Sequence, residues 1–485
     1  MKSTRRNDVS LQEILTIEND SNVFSAVDTD YGVQLWPLIR VAVIRTIMSD
    51  LLYSGSAGLV GTGRSNVNYR KRMLMMAHSW VRNMSLRRKL TSKIVIMSSG
   101  LGNIQFKNRT FDRINGHFAS IFDEETIMLD QQSDGTIHSN YEFQRVLLAM
   151  PSATYHRFKA KIFVRQRHRS IAAFVIENVV SNSLRAIDFS FSNVQKAHLI
   201  AELAIQLASL PFVIEHYADF FSRNNTKLLV KEDACYGGSS VAILFAAKLA
   251  NVTTAEIQHG VISAGHDGYN VGSTLANSRE YQNTLPDYLL IYGNWWGAQC
   301  NVPVRKIAIG NPHRDSKISE YSQTFAKSKI TLLLLGDGIE TDEYLNLAAL
   351  LVPVAAQLGL IVKFRPHPIE RGVVSRKRVP RGVQLDYNEE IYETFFESKI
   401  VVSELSTGLF EAVGISETIV LWETKKSRFA FPILPFRSFG TIDELKAILT
   451  SETKDELSVA TLDENDFWAK NWRENYENFI REVLL

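Results

Sequence analysis

Short apolar segments alternate with longer helical segments over most of the chain. KIVIMSS (93–99), KLLVK (227–231) and TTAEI (253–257) are typical of buried strands, and GGSSVAILFAAKLANV (237–252) is typical of a helix rich in small residues. Parallel strands need a crossover connection of a dozen or more residues, which is usually a helix. The alternation therefore predicts βαβ units, a parallel sheet and the α/β class.

A second alternating series starts after RKIAIGNP (305–312), a strand that stops at Gly-Asn-Pro. The chain has 485 residues, which is more than one hydrophobic core usually holds. We predict an N-terminal helical extension (1–90) and two doubly wound Rossmann-like domains (91–309 and 310–450) with a cleft between them. In such sheets ligands bind at the carboxyl ends of the strands.

Composition narrows the class of protein further. The formal net charge is +2, whereas a dedicated nucleic-acid binder is usually far more basic, so we expect no nucleic-acid partner. Only Cys235 and Cys300 are present, which excludes a disulfide framework and a cysteine-based zinc site. No apolar run approaches the 18 residues of a membrane span, and MKSTRRNDVSLQEIL lacks the apolar region of a secretory signal. We expect a cytoplasmic protein.

The turn Gln258-His259-Gly260 follows the strand at 253–257. A neutral imidazole can take a proton from a hydroxyl, and a glycine beside it permits close backbone approach or a positive φ. A capping or turn histidine is the simpler alternative. The following VISAGHDGYN is rich in Gly and polar residues, which favours a binding loop with His266 as a further polar group.

A second turn, KFRPHPIE (363–370), carries Arg365 and His367 between two prolines that stiffen it. Arg offers bidentate hydrogen bonds, and a protonated His can neutralise a departing phosphate. We predict a phosphate site here, with a rigid surface turn as the alternative.

A third turn lies in SELSTGLFEA (403–412). Ser403 ends a strand, and Ser406 and Thr407 stand where a helix begins, so free N–H groups and hydroxyls there favour an anion. Simple N-capping is the alternative. Glu411 either receives ribose hydroxyls or pairs locally, and Asp337 of GDG (336–338) is an alternative base to His259.

Two segments combine basic and apolar residues without any acid. Residues 69–93 carry eight Lys or Arg among Met, Leu, Trp and Val, and residues 157–169 carry six. Solvated helix faces would explain this pattern, and so would peripheral contact with anionic lipid. The presence of two such segments favours the contact with lipid.

In chain order, the Gln-His-Gly turn, the His367-Pro368 pair and the Ser406-Thr407 pair resemble bacterial surface-polysaccharide glycosyltransferases of the GT-B type. The comparison includes capsule and O-antigen transferases, sialyl- and polysialyltransferases, capsule Kdo transferases and teichoic-acid glycerophosphotransferases. GVQLWPLIR near the start, LPDYLLIYG and IAIGNP are similar to phrases in such proteins. The resemblance implies a GT-B fold whose C-terminal helix (451–485) packs back on the first domain.

The resemblance also implies roles for the matched residues. His367 would contact the donor phosphate, and Ser406 and Thr407 would hold the donor's phosphate or carboxylate. Polysialyltransferase-type enzymes use an acidic motif as base in the first domain, where this chain has Gln-His-Gly. That departure puts a carboxylate base in doubt and is closer to the glycerophosphotransferase pattern, in which a histidine before glycine is the base.

Together these observations predict a metal-independent, inverting transfer with no cofactor besides the nucleotide-sugar donor. His259 would deprotonate a glycan or lipid-linked acceptor, while Arg365, His367 and the helix end at 406–407 would stabilise the leaving phosphate. A CMP-linked sialic or related acid is the favoured donor. A nucleotide-diphospho-hexose, CDP-glycerol, an epimerase activity and a non-catalytic role in a polysaccharide assembly complex stay open.

Overall fold

A computed structural model describes residues 9–484, except 53–68, 88–90, 107, 133–135, 137, 139, 325–328 and 451–462. Parts of the predicted N-terminal extension, of the basic segment 69–93 and of the predicted C-terminal segment therefore lie outside the described residues.

Seven parallel strands form the sheet of the first domain, in the order β5-β4-β1-β6-β7-β8-β9, and an antiparallel hairpin (β2–β3) lies beside it. The strands of this half are β1 (Ile94–Ser98), β2 (Asn103–Phe106), β3 (Arg109–Asp112), β4 (Thr126–Asp130), β5 (Val146–Leu148), β6 (Leu228–Lys231), β7 (Thr253–Ile257), β8 (Tyr288–Ile291) and β9 (Arg305–Ala308).

Helices precede this sheet and cover it. They are α1 (Leu11–Leu15), α2 (Ser21–Phe24), α3 (Trp36–Leu52), α4 (Tyr69–Arg87), α5 (Gly116–Ala119), α6 (Met150–Phe163), α7 (Gln166–Ala173), α8 (Ser181–Ser183), α9 (Asn193–Asn224), α10 (Ser239–Leu249), α11 (Ser273–Ala276), α12 (Arg279–Gln282), α13 (Asn294–Ala298) and α14 (Pro312–Thr324). A π-helical turn spans Phe174–Val180.

The second domain holds six parallel strands in the order β12-β11-β10-β13-β14-β15. They are β10 (Thr331–Leu335), β11 (Ile361–Arg365), β12 (Val383–Leu385), β13 (Ser398–Ser403), β14 (Thr418–Trp422) and β15 (Arg437–Phe439). The remaining helices are α15 (Thr341–Gln357), α16 (Arg371–Val374), α17 (Ile391–Glu397), α18 (Thr407–Glu411), α19 (Lys425–Ala430), α20 (Ile442–Thr450), α21 (Glu464–Phe467) and α22 (Trp472–Leu484).

The central strands are buried along their whole length, as in β1, β4, β6 and β10. A parallel strand is covered by helices on both faces, which explains why these segments read as continuous apolar runs. The predicted α/β class with two Rossmann-like domains is therefore confirmed. The two domains are in contact, and the Gly265 amide of the first donates to the Ala430 carbonyl of the second over 3.0 Å.

After α20 the chain returns to the first domain. Tyr476, Phe479 and Ile480 of α22 pack with Ile94 and Phe118 in the core on one face of the first sheet. Before that helix, the Ala469 amide donates to the carbonyl of Tyr292 over 2.7 Å.

The helix α9 is the longest in the described part of the chain. By length and composition it could cross a membrane, although its sequence holds no unbroken apolar run of 18 residues. In this structure it packs along α10, α6, α7 and α3, as a core helix of the first domain does.

The strand orders place a topological switch point in each sheet. In the first sheet β1 lies between β4 and β6, and in the second β10 lies between β11 and β13. Ligands in open parallel sheets bind where the order reverses, outside the carboxyl ends of these strands. The two crevices therefore lie near Ser99 and Asp233 in the first domain, and near Asp337 and Glu404 in the second.

Candidate active site

An ion pair between His259 and Asp233 lies at the carboxyl edge of the first sheet. His259 follows β7 and Asp233 follows β6, and the imidazole Nε2 lies 3.0 Å from Asp233 Oδ1. The Asp233 side chain is 41% exposed and that of His259 is 22% exposed. The carboxylate is thus the more accessible partner.

The surrounding charges set the protonation of this pair. Burial lowers the pKa of His259, but the Asp233 carboxylate, with help from Glu256 and Glu232, outweighs burial and raises it to about 9. Burial raises the pKa of Asp233, and the His259 imidazolium overrides it and holds that pKa well below its usual range. At neutral pH the pair is an imidazolium and a carboxylate, which argues against the predicted neutral His259 base.

Two buried carboxylates lie behind the pair. Glu256 accepts hydrogen bonds from the Cys235 amide (2.7 Å) and the Tyr269 hydroxyl (2.6 Å), and its Oε1 lies 3.9 Å from His259 Nδ1. Glu232 accepts from the Ser99 amide over 3.1 Å. Burial and the charge of Asp112 raise the pKa of Glu232 to about 7.

The other two residues of the Gln-His-Gly turn have different surroundings. Gln258 is fully buried, where its amide donates to the Gly260 carbonyl (2.8 Å) and its carbonyl oxygen accepts from the Tyr292 amide (2.8 Å). Gln258 therefore shapes the turn. The φ of Gly260 is not positive, but no atom lies within 4 Å of where its Cβ would be, so open space adjoins the backbone there.

His266 is a neutral partner of this cluster. Its Nδ1 accepts from the Gly268 amide over 3.1 Å, which leaves the proton on Nε2, 3.0 Å from the Tyr236 hydroxyl. Burial lowers the pKa of His266 to about 4. The same hydroxyl lies 3.5 Å from His259 Nε2, so Tyr236 links the two histidines.

The N-terminal helices hold the loop that follows His259. Arg40 of α3 is buried, pairs with Glu18, and donates 2.5 Å hydrogen bonds to the carbonyls of Asp267 and Asn270. One turn further on, Arg45 pairs with the Asp267 carboxylate at 2.9 Å. The loop that follows His259 is therefore held by residues from far earlier in the chain.

His367 lies at the carboxyl edge of the second sheet. Its Nδ1 accepts from the Ile369 amide over 3.3 Å, which favours the tautomer with the proton on Nε2. Burial lowers the pKa of His367, and the charge of Arg113 from the first domain lowers it further, against the opposing effect of Asp337. A pKa below the ordinary 6.5 leaves the ring mainly neutral at pH 7, with its proton on Nε2.

Arg365 is used within the second domain. It is buried, pairs with Asp386 over 2.7 Å, and donates to the Asn388 carbonyl over 2.8 Å. These partners fix the loop after β12. The arrangement argues against the predicted phosphate contact, because the guanidinium already has a carboxylate partner.

The residues of the third turn are mostly satisfied locally. The buried Ser403 hydroxyl donates to the Leu335 carbonyl over 2.9 Å, which argues against phosphate binding by Ser403. Ser406 caps α18, where its Oγ accepts from the Gly408 amide over 3.1 Å, and Thr407 begins that five-residue helix. Glu411 accepts from the Tyr392 hydroxyl over 2.7 Å.

A buried cation occupies the crevice of the second sheet. Lys426 Nζ lies 2.8 Å from Asp337, 2.6 Å from Glu340 and 2.7 Å from Glu404. Asp337 also accepts from the amides of Ile339 (2.8 Å) and Glu340 (3.0 Å). The Asp337 side chain is only 7% exposed, so an acceptor hydroxyl has little access to it, which argues against Asp337 as the base.

Charges from both domains meet around Tyr292. Burial and the Glu411 carboxylate of the second domain raise the pKa of Tyr292, while Arg113 of the first domain acts in the opposite direction. The exposed Arg113 also acts electrostatically on His367 and on Glu390. Arg113 of the first domain therefore acts electrostatically on groups of the second domain.

Sequence reasoning missed Asp233 and Arg113. The signal for Asp233 was present: adjacent acids, Glu232 and Asp233, follow a strand just before Gly237-Gly238 and a helix. Arg113 follows a short hairpin strand that no apolar pattern marked, so only the fold brings it near His367.

A cavity lies elsewhere in the first domain. Its volume is about 740 Å³ and it runs between α7 and α9, with Lys161, Arg169 and Lys196 among its lining residues. The candidate active site rests instead on the facing strand edges. Within the described residues, no three His, Cys, Asp or Glu side chains are grouped as metal ligands would be.

No family model matches the chain, and a search of curated proteins finds no match. Among solved structures, UDP-GlcNAc 2-epimerase from Methanocaldococcus jannaschii is similar over 81% of this chain and 98% of its own, with a TM-score of 0.42 and 8% identity. UDP-N-acetylglucosamine 2-epimerase from Rickettsia bellii is similar over 81% of this chain and 96% of its own, with a TM-score of 0.39 and 10% identity. The wall teichoic acid polymerase TagF is similar over 87% of this chain and 93% of its own, with a TM-score of 0.37 and 12% identity. Similarity at this level supports no inference about activity.

Proposed function

We propose that the chain is a nucleotide-sugar-dependent glycosyltransferase of bacterial surface-polysaccharide biosynthesis that works in the cytoplasm. One observation carries the proposal. The Asp233–His259 ion pair lies at the carboxyl edge of the first sheet and His367 at that of the second, and charges of both domains, Arg113 and Glu411, act on Tyr292. A transferase needs a proton acceptor and an anion site on opposite sides of the sugar.

The proton acceptor in this proposal is Asp233, held by His259. The acceptor hydroxyl oxygen forms a bond to the anomeric carbon, and its proton passes to the Asp233 carboxylate. A carboxylate with a depressed pKa is a weak base, but the hydroxyl becomes strongly acidic as its oxygen bonds to carbon. The His259 imidazolium orients the carboxylate and is a positioning residue.

The leaving group is stabilised from the other side. The bond between the anomeric carbon and the phosphate oxygen breaks, and the electron pair stays on the phosphate. His367 Nε2–H donates to that phosphate, and Arg113 offsets its charge. A single in-line displacement inverts the anomeric carbon, and this scheme needs no metal.

The donor is the finer part of the proposal. The resemblance in the His-Pro and Ser-Thr pairs favours a CMP-linked sugar, transferred to a glycan or lipid-linked acceptor. Thr407 and Ser406 would lie beside the donor, and Glu411 near its ribose. The engaged Arg365, Ser403 and Asp337 have supporting roles.

Purified full-length protein with CMP-, UDP-, GDP- and CDP-linked donors, each with and without candidate acceptors, tests the proposal. We expect one donor class to be consumed by wild type, with and without EDTA, and an inverted product by NMR. The variant Asp233→Asn should lose this activity. An isomerised donor without acceptor would identify an epimerase instead, and failure to bind any donor would favour a non-catalytic assembly role.

A further inference from the structure

The helix α4 has its apolar residues on the outside. Met73, Leu74, Trp80, Val81 and Met84 are between 49% and 64% exposed. They recur at helical spacing and so form one continuous stripe. A soluble helix usually turns such a stripe inwards, so this arrangement requires an explanation.

The inward face of α4 is polar for a structural reason. Asn83 donates to the Leu148 carbonyl (2.8 Å) and accepts from the Leu148 amide (2.9 Å), and Ser79 donates to Gln132 (2.9 Å). Leu148 belongs to β5, the edge strand of the first sheet. The helix covers an open sheet edge with hydrogen-bonding side chains, and its apolar stripe is left facing outwards.

A second exposed apolar stripe lies on α6. Tyr155, Phe158, Ile162 and Phe163 are between 44% and 62% exposed, while His156 and Ala160 on the other side are buried. Helices α4 and α6 pack against each other. Trp80 and Met84 of α4 line one groove together with Pro151 and Ser152 at the start of α6.

Both stripes overlap segments that hold basic residues and no acid, and Asp30 from outside these segments pairs with Arg167 at 3.5 Å. Residues 69–93 and 157–169 carry eight and six Lys or Arg and no acid. Two copies of such a face would bring like charges together, which disfavours a symmetric dimer through it. A surface that is both negatively charged and apolar just below its charges is an anionic lipid bilayer.

We propose that the apolar stripes of α4 and α6, together with the basic residues of segments 69–93 and 157–169, dock this chain on an anionic lipid bilayer. The apolar side chains enter the boundary between headgroups and acyl chains, and the cations bind the lipid phosphates. This docking face is independent of the catalytic proposal, because neither Asp233 nor His367 belongs to it.

Co-sedimentation of the full-length protein with vesicles tests the proposal. We expect binding to vesicles of phosphatidylcholine that contain about 30 mol% phosphatidylglycerol, and little binding to vesicles of phosphatidylcholine alone. High salt should abolish the binding. Leu74→Glu should weaken binding at least about tenfold, because a carboxylate would replace an exposed apolar side chain that inserts into the bilayer. Leu350→Glu, the same change at an exposed helical position of the second domain, should bind like wild type.

A charge variant gives a second, separate measurement. Replacing Arg157, Lys159 and Lys161 by Gln should lower affinity by about fivefold for each charge removed. Circular dichroism and thermal unfolding of each variant verify that it folds. Equal binding of wild type and Leu74→Glu to vesicles would overturn the proposal. It would also be overturned if neither protein bound vesicles and wild type were a dimer that the Leu74→Glu substitution dissociated.

Discussion

The two facing strand edges differ in how far their charged groups are already satisfied. In the second domain Lys426 is surrounded by three carboxylates and Arg365 by Asp386 and backbone carbonyls, all within that domain. In the first domain Asp233 is partly exposed and Arg113 is exposed. Charged residues at a strand end thus serve two purposes, holding loops in place or meeting a ligand, and only exposure and partners tell them apart.

This difference predicts that substitutions at the first edge change catalysis, whereas substitutions in the Lys426 cluster change folding. His367 is the exception in the second domain, because its Nε2 is left as a donor by the Ile369 contact. The following predictions test this division with measurements of kcat, donor KM and the free energy of unfolding.

The largest effect is expected for Asp233→Asn. An amide cannot take the acceptor's proton, so kcat should fall by about 10² to 10⁴ once the donor is identified. The donor KM should change little, because Asp233 does not face the phosphate. Asp123→Asn, at an exposed acid of the same domain, is the control and should keep full activity. An Asp233→Asn enzyme with unchanged activity would show that another group is the base.

Removing the buried cation should act on stability. Lys426→Met leaves three carboxylates without their cation, which costs about 3–5 kcal/mol in the free energy of unfolding. Urea unfolding followed by circular dichroism measures the loss. Lys425→Met, at the preceding and exposed lysine, should cost far less. If the two variants were equally stable, the cluster would not hold the second domain together.

His259 should make stability depend on pH. Its folded-state pKa of about 9 lies above the ordinary 6.5, so its contribution, about 3 kcal/mol at most, is complete below pH 6.5 and is lost as pH rises through 9. The difference in unfolding free energy between wild type and His259→Gln should therefore be large at pH 6 and small at pH 10. His198→Gln, at an exposed histidine of α9, should show no such trend. A difference that stays constant with pH would argue against the ion pair with Asp233.

The smallest effect is expected for Arg113→Gln. Losing a charged contact to the donor phosphate should raise the donor KM by about tenfold, with little change in stability because the side chain is exposed. Arg109→Gln, at an exposed arginine in the same hairpin that pairs with Glu142, is the matched control. A KM equal to that of wild type would remove Arg113 from the donor site.

The alternation of strands and helices was readable from the sequence because buried parallel strands carry unbroken apolar runs. KIVIMSS, KLLVK and TTAEI contain β1, β6 and β7. The short edge strand β5 and the long helix α9 were not predicted. Three residues form too short a pattern, and the apolar stretch of α9 is interrupted by polar residues and by Pro211.

The site was less predictable because its partners are distant in sequence. The Gln-His-Gly turn identifies His259 as a candidate, but the carboxylate that keeps His259 protonated, Asp233, follows a different strand. Arg365 looked available, and its partner Asp386 lies 21 residues further on. Sequence patterns locate strand ends, and only the fold determines which side chains there are already paired.

The contacts of Arg40 also bear on how such chains can be recombined. Glu18, Arg40 and Arg45 hold the loop at Asp267–Asn270, more than two hundred residues away, and Gly238 donates its amide to the Pro37 carbonyl over 2.9 Å. A hybrid that exchanged residues 91–309 with a related protein would separate the loop from its support. The stretch from Glu18 to Arg45 would have to be inherited together with the half of the molecule that it supports.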